Sequence, residues 1–160
     1  MTVVIRSYVE ADSDAVIELV RQLQVHEAQF FDRMKPPEEI GPWYVRELFA
    51  AIERHGGALL VAERDGAVVG FTAVLTGVTS RESRDEVLYS YAQVLDLAVT
   101  REARHQGIGT RLLEACEAAA REAGVKWLRI GAIAGNETAI AAYAKFGFDH
   151  LSVTMEKPLT

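Results

Sequence analysis

Cysteine is almost missing from this chain of 160 residues: Cys116 stands alone, so neither an intrachain disulfide nor a thiolate cluster for zinc can form. A reducing compartment fits that usage. Long apolar runs are missing as well. Stretches such as Leu59 to Ala62 fall far short of the ~20 residues that cross a bilayer, and Met1 to Tyr8 lacks the charged-then-apolar pattern of a signal peptide. No membrane association is expected, and the expected location is the cytoplasm. Positive charge is in deficit, with 17 Lys+Arg against 23 Asp+Glu and a net charge of −6. That balance disfavours the nucleic-acid backbone as a partner and welcomes a cationic small molecule or basic peptide. His26, His55, His105 and His150 show no H-x-x-x-H or H-E-x-x-H spacing, so no metal is expected. There is no G-x-x-x-x-G-K-[ST] phosphate loop, no internal repeat and no low-complexity segment.

What is present is enough apolar material for a core, 49% hydrophobic residues with 25% charged, in a length that suits one domain spanning 1–160. Val3 to Tyr8 reads as a strand, and Asp12 offers an N-cap to a helix with Val16, Leu19, Val20 and Leu23 on one stripe. A connector holding Pro36, Pro37 and Pro42 leads into a second helix with stripe Val45, Leu48, Phe49 and Ile52, closed at His55-Gly56-Gly57. Ala58 to Glu63 and Val68 to Thr76 read as an antiparallel hairpin turned at Asp65-Gly66. A long strand is expected over Val87 to Val99, a helix over Gly107 to Ala123, a strand over Val125 to Ala134, a helix over Glu137 to Phe146 and a last strand over Phe148 to Glu156. The order β-α-α-β-β-β-α-β-α-β describes one mixed α/β unit.

The first chemical signal is Arg104-His105-Gln106-Gly107-Ile108-Gly109-Thr110, which follows the strand Leu95-Asp96-Leu97-Ala98-Val99 and runs into a helix. Gly107 and Gly109 let a phosphate-bearing ligand approach the main chain, where the first N–H groups of the helix point at it. Arg101, Arg104 and Arg111 add local positive charge to an acidic protein. A dinucleotide fingerprint is excluded, because Leu112 stands where the third glycine would. The second signal is Asn136 and Tyr143, seven residues or two helical turns apart, which places both on one side of a helix about 10 Å apart. Each alone reads as structural, Asn136 as an N-cap and Tyr143 as a core aromatic.

Together, Arg104-x-x-Gly107-x-Gly109 and Asn136-x-x-Ala139-x-x-x-Tyr143-x-Lys145-x-Gly147-Phe148 resemble the two cofactor motifs of the GNAT superfamily of acetyl-coenzyme A-dependent N-acetyltransferases, in the right order and with a helix and strand between them. The resemblance covers nearly the whole chain. It implies a GNAT-like fold, a central mixed twisted sheet splayed between its fourth and fifth strands and flanked by about four helices. It implies that acetyl-CoA wedges into the splay as cosubstrate. The main chain of Leu97, Ala98 and Val99 would pair with the pantetheine arm, and Gln106 to Thr110, with Arg104 and His105 beside them, would hold the pyrophosphate. Asn136 and Ala139 would contact the arm farther along, and Tyr143 would sit beside the sulfur as the acid that protonates the departing thiolate.

The chemistry agrees with that assignment. A thiol of pKa about 8.5 leaves as an anion, and a phenol of pKa about 10 can donate to it. The attacking amine must lose a proton first, and a carboxylate is the natural acceptor. Asp96 is the first candidate base, although it reads equally as a structural carboxylate held by backbone donors; Glu86 is the fallback. A main-chain N–H near Leu97 or Ala98 would stabilise the oxyanion if the strand bulges there. The expected activity is acetyl transfer to a primary amine of a small molecule or peptide, by direct attack in a ternary complex. The competing readings are a non-catalytic acyl-CoA-binding module and a transferase of a longer acyl group, and homodimerisation stays open. Phe30, Phe31, Trp43 and Tyr44 flank the proline connector and read as an acceptor-pocket wall or as core or dimer packing. The charged run Arg81 to Glu86 reads as solvated surface, with acceptor contact as the alternative, and Cys116 reads as a buried core thiol.

Overall fold

The computed structural model describes residues 2–80 and 85–160. Its elements run β1 (Val3–Ser7), α1 (Ser13–Glu27), α2 (Pro42–His55), β2 (Gly57–Arg64), β3 (Ala67–Thr79), β4 (Ser90–Val99), α3 (Ile108–Glu122), β5 (Leu128–Ile130) and α4 (Glu137–Phe146). The five strands form one sheet in the order β1-β2-β3-β4-β5. All neighbours are antiparallel except β4 and β5, which run parallel. Most of the charged run lies outside the described residues, since 81–84 fall between the two stretches.

Strand alternation assigns the helices to faces. Leu59, Val61, Phe71 and Ala73 point to the side where α1 and α2 bring Val16, Leu19, Val20, Val45 and Leu48. Their neighbours Ala62 and Val74 point the other way, to Ile108, Leu112, Cys116 and Ala120 of α3. Cys116 is fully buried within 3.3 Å of the Thr72 hydroxyl, as its place on the apolar stripe predicted. Asp65 and Gly66, both at positive φ (53° and 80°), make the expected tight hairpin turn between β2 and β3. No helix among the described residues is long and apolar enough to cross a membrane.

Two expected strands come out differently. The stretch 125–134 is a strand only over Leu128–Ile130, because Gly131 follows and the chain turns away from β4. The alternating segment 148–156 forms no strand: β5 offers only three residues of outer edge, and Leu151, Val153 and Met155 stay exposed. The long strand also starts later than the pattern implied, at Ser90.

Asp12 sits at the start of α1, but its carboxylate turns back instead of capping forward. It accepts the Val9 N–H at 2.8 Å and both Arg6 terminal nitrogens at 2.8 and 2.9 Å, while Arg6 Nε donates to Glu63 at 2.7 Å. These bonds tie β1, the helix entrance and β2 together. The Arg6 hydrogen bonds hold the Asp12 carboxyl below its ordinary pKa. A carboxylate depressed in the folded state stabilises at pH values above the unfolded value of about 3.9, and that contribution is lost as pH falls through the folded value. Asp12→Ala is therefore expected to cost about 1–3 kcal/mol at pH 7, with the difference from the parent shrinking in acid. Urea unfolding at neutral and acidic pH checks both halves.

Candidate active site

The sheet opens on one side of β4. Its pairing with β5 stops at Val94 and Ile130, whereas β4 continues to Val99, so residues 95–99 face a gap instead of a strand. Gly131, Ala132 and Ile133 lead the chain away to α4, and Leu23, His26 and Glu27 of α1 close the gap from the helical face. The resulting cleft has a volume of about 380 Å³. This is the expected splay between the fourth and fifth strands.

Main-chain direction in the cleft follows from the period of two. Thr100 N–H donates to Val69 O at 2.8 Å, and the Thr72 hydroxyl donates to Asp96 O at 2.7 Å, so Thr100, Ala98 and Asp96 aim their peptide groups at β3. Leu97 and Val99 aim theirs into the gap. The Val99 carbonyl there already accepts Arg104 Nε at 3.0 Å, which leaves Leu97 with its main chain turned to the cleft. A bulge does interrupt β4, at Leu95, the extra residue between the Val74 and Asp96 pairings and two positions before Leu97.

Beyond the gap lies the α3 entrance. Gly107 caps it at φ 80°, and His105 is also left-handed at φ 61°. The first intrahelical bond runs from Arg111 N–H to Gly107 O, so the N–H groups of Ile108, Gly109 and Thr110 have no helical acceptor. A Cβ added to Gly107 or Gly109 would meet no atom within 4 Å, so the space over those amides is open. Arg111 donates to Val3 O, and Gln106 is held between Arg64 and Glu102 O. What the α3 entrance leaves open is backbone N–H.

Asp96 and Tyr143 line the same cleft, with Asn136 and Ala139 beside Tyr143. Asn136 is the N-cap of α4, accepting the Ala139 N–H at 3.3 Å, and it is 8% exposed. The Tyr143 ring packs on Phe148 at 6.1 Å and 67°, and its hydroxyl has no hydrogen-bond partner among the described residues. Burial, and then the nearby charge of Glu27, push the Tyr143 pKa up, so the phenol keeps its proton. Asp96 is satisfied by a side chain instead of by backbone donors: Tyr44 Oη donates to its two oxygens at 3.0 and 2.9 Å. Burial raises the Asp96 carboxyl above its ordinary pKa, and the Tyr44 bond offsets part of that rise.

Two of these residues have roles that sequence reasoning missed. Tyr44 read only as one of four aromatics, and the signal lay in its place on the first turn of α2, facing the central strand. Glu27 drew no reading from the sequence; its signal was the i,i+4 spacing from Leu23, which puts both on the cleft side. Phe30 packs against Gly135, a Cβ on which would come within 3.2 Å of its ring, and so fixes the turn before Asn136. Trp43 stacks edge-on against Tyr44 at 5.5 Å, and Phe31 lies under Arg33. Glu86, the fallback base, is exposed and lines a different concavity with Arg54, Tyr89, Tyr91 and Arg129. Among the described residues, no group of three or more His, Cys, Asp or Glu side chains is arranged to hold a metal ion.

Residues 18–148 match the model of the acetyltransferase (GNAT) family. The chain belongs to the GNAT acetyltransferase family. It is 32% identical over 157 residues to an IAA acetyltransferase of Azospirillum brasilense, covering 91% of this chain and 92% of that protein. Among solved structures, the BH1408 protein of Bacillus halodurans superposes with a TM-score of 0.87 at 21% identity, over 98% of this chain and 99% of the other. AAC(6')-Iy in complex with the bisubstrate analogue CoA-S-monomethyl-acetylneamine superposes with a TM-score of 0.73 at 13% identity, over 100% of this chain and 99% of the other. At such identities these structures speak to the fold. A GNAT acetyltransferase with this splayed sheet is an enzyme of acetyl transfer.

Proposed function

We propose that residues 1–160 act as one cytoplasmic N-acetyltransferase domain that moves an acetyl group from acetyl-CoA to a primary amine by direct attack in a ternary complex. What supports the reading is one continuous cleft with unsatisfied helix N–H groups at one end and Asp96 with Tyr143 farther in. The residues fit an acyl-CoA. The open amides of Ile108, Gly109 and Thr110 suit a diphosphate, and the Leu97 main chain suits an amide-bearing arm. Acetyl-CoA supplies the acetyl group as a thioester whose leaving group is a thiolate.

The chain supplies proton handling and position. The Asp96 carboxylate takes the proton of the incoming ammonium, held in orientation by Tyr44. The Leu97 main chain lines the gap beside it, where an N–H can meet developing negative charge. The Tyr143 hydroxyl donates its proton to the sulfur. AAC(6')-Iy, which shares this fold, is solved with the bisubstrate analogue CoA-S-monomethyl-acetylneamine, which supports a site that takes CoA together with an acceptor.

The test is thiol release from acetyl-CoA against a panel of primary amines, with calorimetry for binding. Amine-dependent release supports the reading, and binding without release would mark an acyl-CoA-binding module instead. Gly109→Val sharpens it. The position is helical and open, so valine fits the fold and stability stays level or rises slightly. The added side chain covers the amides, and affinity for acetyl-CoA is expected to fall about tenfold or more. Unaltered affinity would remove the cradle from the site.

A further inference from the structure

We infer that Glu27 is the residue that recognises the acceptor, and that it selects an aliphatic amine arriving as an ammonium ion over a neutral amine; this rests on the reading of the cleft as the site of amine acetylation. Glu27 comes off the last turn of α1 into the same cleft as Asp96 and Tyr143. Its charge is felt across the site: it raises the pKa of both Tyr44 and Tyr143, and burial, then the charge of Asp96, raises its own. Polar groups from α1, β4 and α4 therefore line one cleft, and Tyr44 of α2 reaches it through its hydrogen bonds to Asp96.

That cleft holds two carboxylates with no cationic partner among the described residues. None of the ion pairs among the described residues involves Glu27 or Asp96. The arginine and histidine side chains along the cleft are turned to other work or lie toward the diphosphate end. Arg104 Nε is on the Val99 carbonyl, His105 is in the α3 entrance loop, and the His26 ring meets the Phe30 ring edge-on at 5.4 Å. Two partly desolvated carboxylates near each other are unfavourable unless a cation joins them.

The reaction provides that cation and then removes it. An alkylamine is protonated at neutral pH, so it reaches the cleft as the counter-charge the two carboxylates lack. Asp96 takes one proton from it, and the nitrogen lone pair so freed forms the new C–N bond as the C–S bond breaks. Tyr143 gives its proton to the departing sulfur, and the second N–H proton of the adduct returns to the Tyr143 oxygen. The product is a neutral amide, which no longer answers Glu27. Substrate is held and product is let go by the same side chain. Because a carboxylate near the ammonium also opposes its deprotonation, Glu27 contributes to binding and not to the chemical step.

The experiment compares the parent with Glu27→Gln in two measurements. In thiol release with butylamine and with aniline, which is neutral at pH 7, Glu27→Gln should raise the butylamine KM about tenfold or more, leave kcat level or higher, and leave the acetyl-CoA KM alone. The aniline KM should not move. In calorimetry without acetyl-CoA, butylammonium should bind the parent more tightly than butanol does, and lose that advantage in Glu27→Gln. Active enzyme with an unchanged butylamine KM in Glu27→Gln overturns the inference while the acetylation reading stands. So does a parent that prefers aniline. If butylammonium binding depends on Glu27 but no amine drives thiol release, the cation site holds and the acetylation reading is the one that fails. Glu27→Asp, which keeps the charge on a shorter arm, should recover part of the lost butylamine affinity.

Discussion

Asp96→Asn is expected to lower kcat/KM for the amine by about 10²- to 10⁴-fold at neutral pH, the range spanned by a positioned general base. Asparagine keeps the shape of the side chain and can still accept the Tyr44 hydroxyl, so the local geometry survives. What it cannot do is take a proton. The pH profile should separate this role from a structural one. Burial raises the Asp96 carboxyl, so the parent's rate should fall, as pH is lowered, through a value above the ordinary aspartate range. That acid limb should vanish in Asp96→Asn. Stability points the same way: a carboxyl raised in the folded state is more protonated there than in the unfolded chain, so its contribution to stability declines as pH rises through that window. At pH 7 the neutral amide should leave the unfolding midpoint level or higher. A variant that turns over within about threefold of the parent, or one that loses stability while keeping its acid limb, would return Asp96 to a structural part.

The sequence was most legible where a local rule has one physical solution. Asp65-Gly66 turned a hairpin because two left-handed residues fit that turn, and Glu137 to Phe146 began and ended as a helix where Asn136 could cap it and Gly147 could release it. Gly107 read correctly as the entrance to α3 for the same reason. The splay followed from the resemblance, and its location depended on a strand that stops at Gly131, which alternation over 125–134 did not reveal. The segment 148–156 failed for the complementary reason. Period-two alternation says that a segment could pair, not that an edge is there to pair with. The site was legible in its motifs and illegible in its partners. Arg104 Nε donates to the Val99 carbonyl and Arg111 to the Val3 carbonyl, partners that the sequence spacing does not show. Tyr44 and Glu27 lie 52 and 69 positions from Asp96 in the chain, and only the packing of α1 and α2 on the sheet brings them to it.

Tyr143→Phe is expected to reduce kcat by about 10²-fold, the lower end for general acid catalysis, with no change in the affinity for acetyl-CoA. The lower end follows from the leaving group: a thiol of pKa about 8.5 departs tolerably without help, so the acid has less to contribute than it would with an alkoxide. The substitution is clean because the ring contact with Phe148 is kept and the lost hydroxyl bonds to nothing in the described protein. Stability should therefore shift by less than about 1 kcal/mol. Burial and the charge of Glu27 push the Tyr143 phenol up, so the parent keeps its acid to higher pH than an exposed tyrosine does. The dependence on leaving group decides between a proton donor and a mere wall. With an acetyl donor whose thiol is more acidic, the thiolate needs less stabilisation, and the gap between the parent and Tyr143→Phe should narrow. If the gap stays constant across donors while the KM for acetyl-CoA rises, the tyrosine holds the cosubstrate in place and the proton comes from elsewhere.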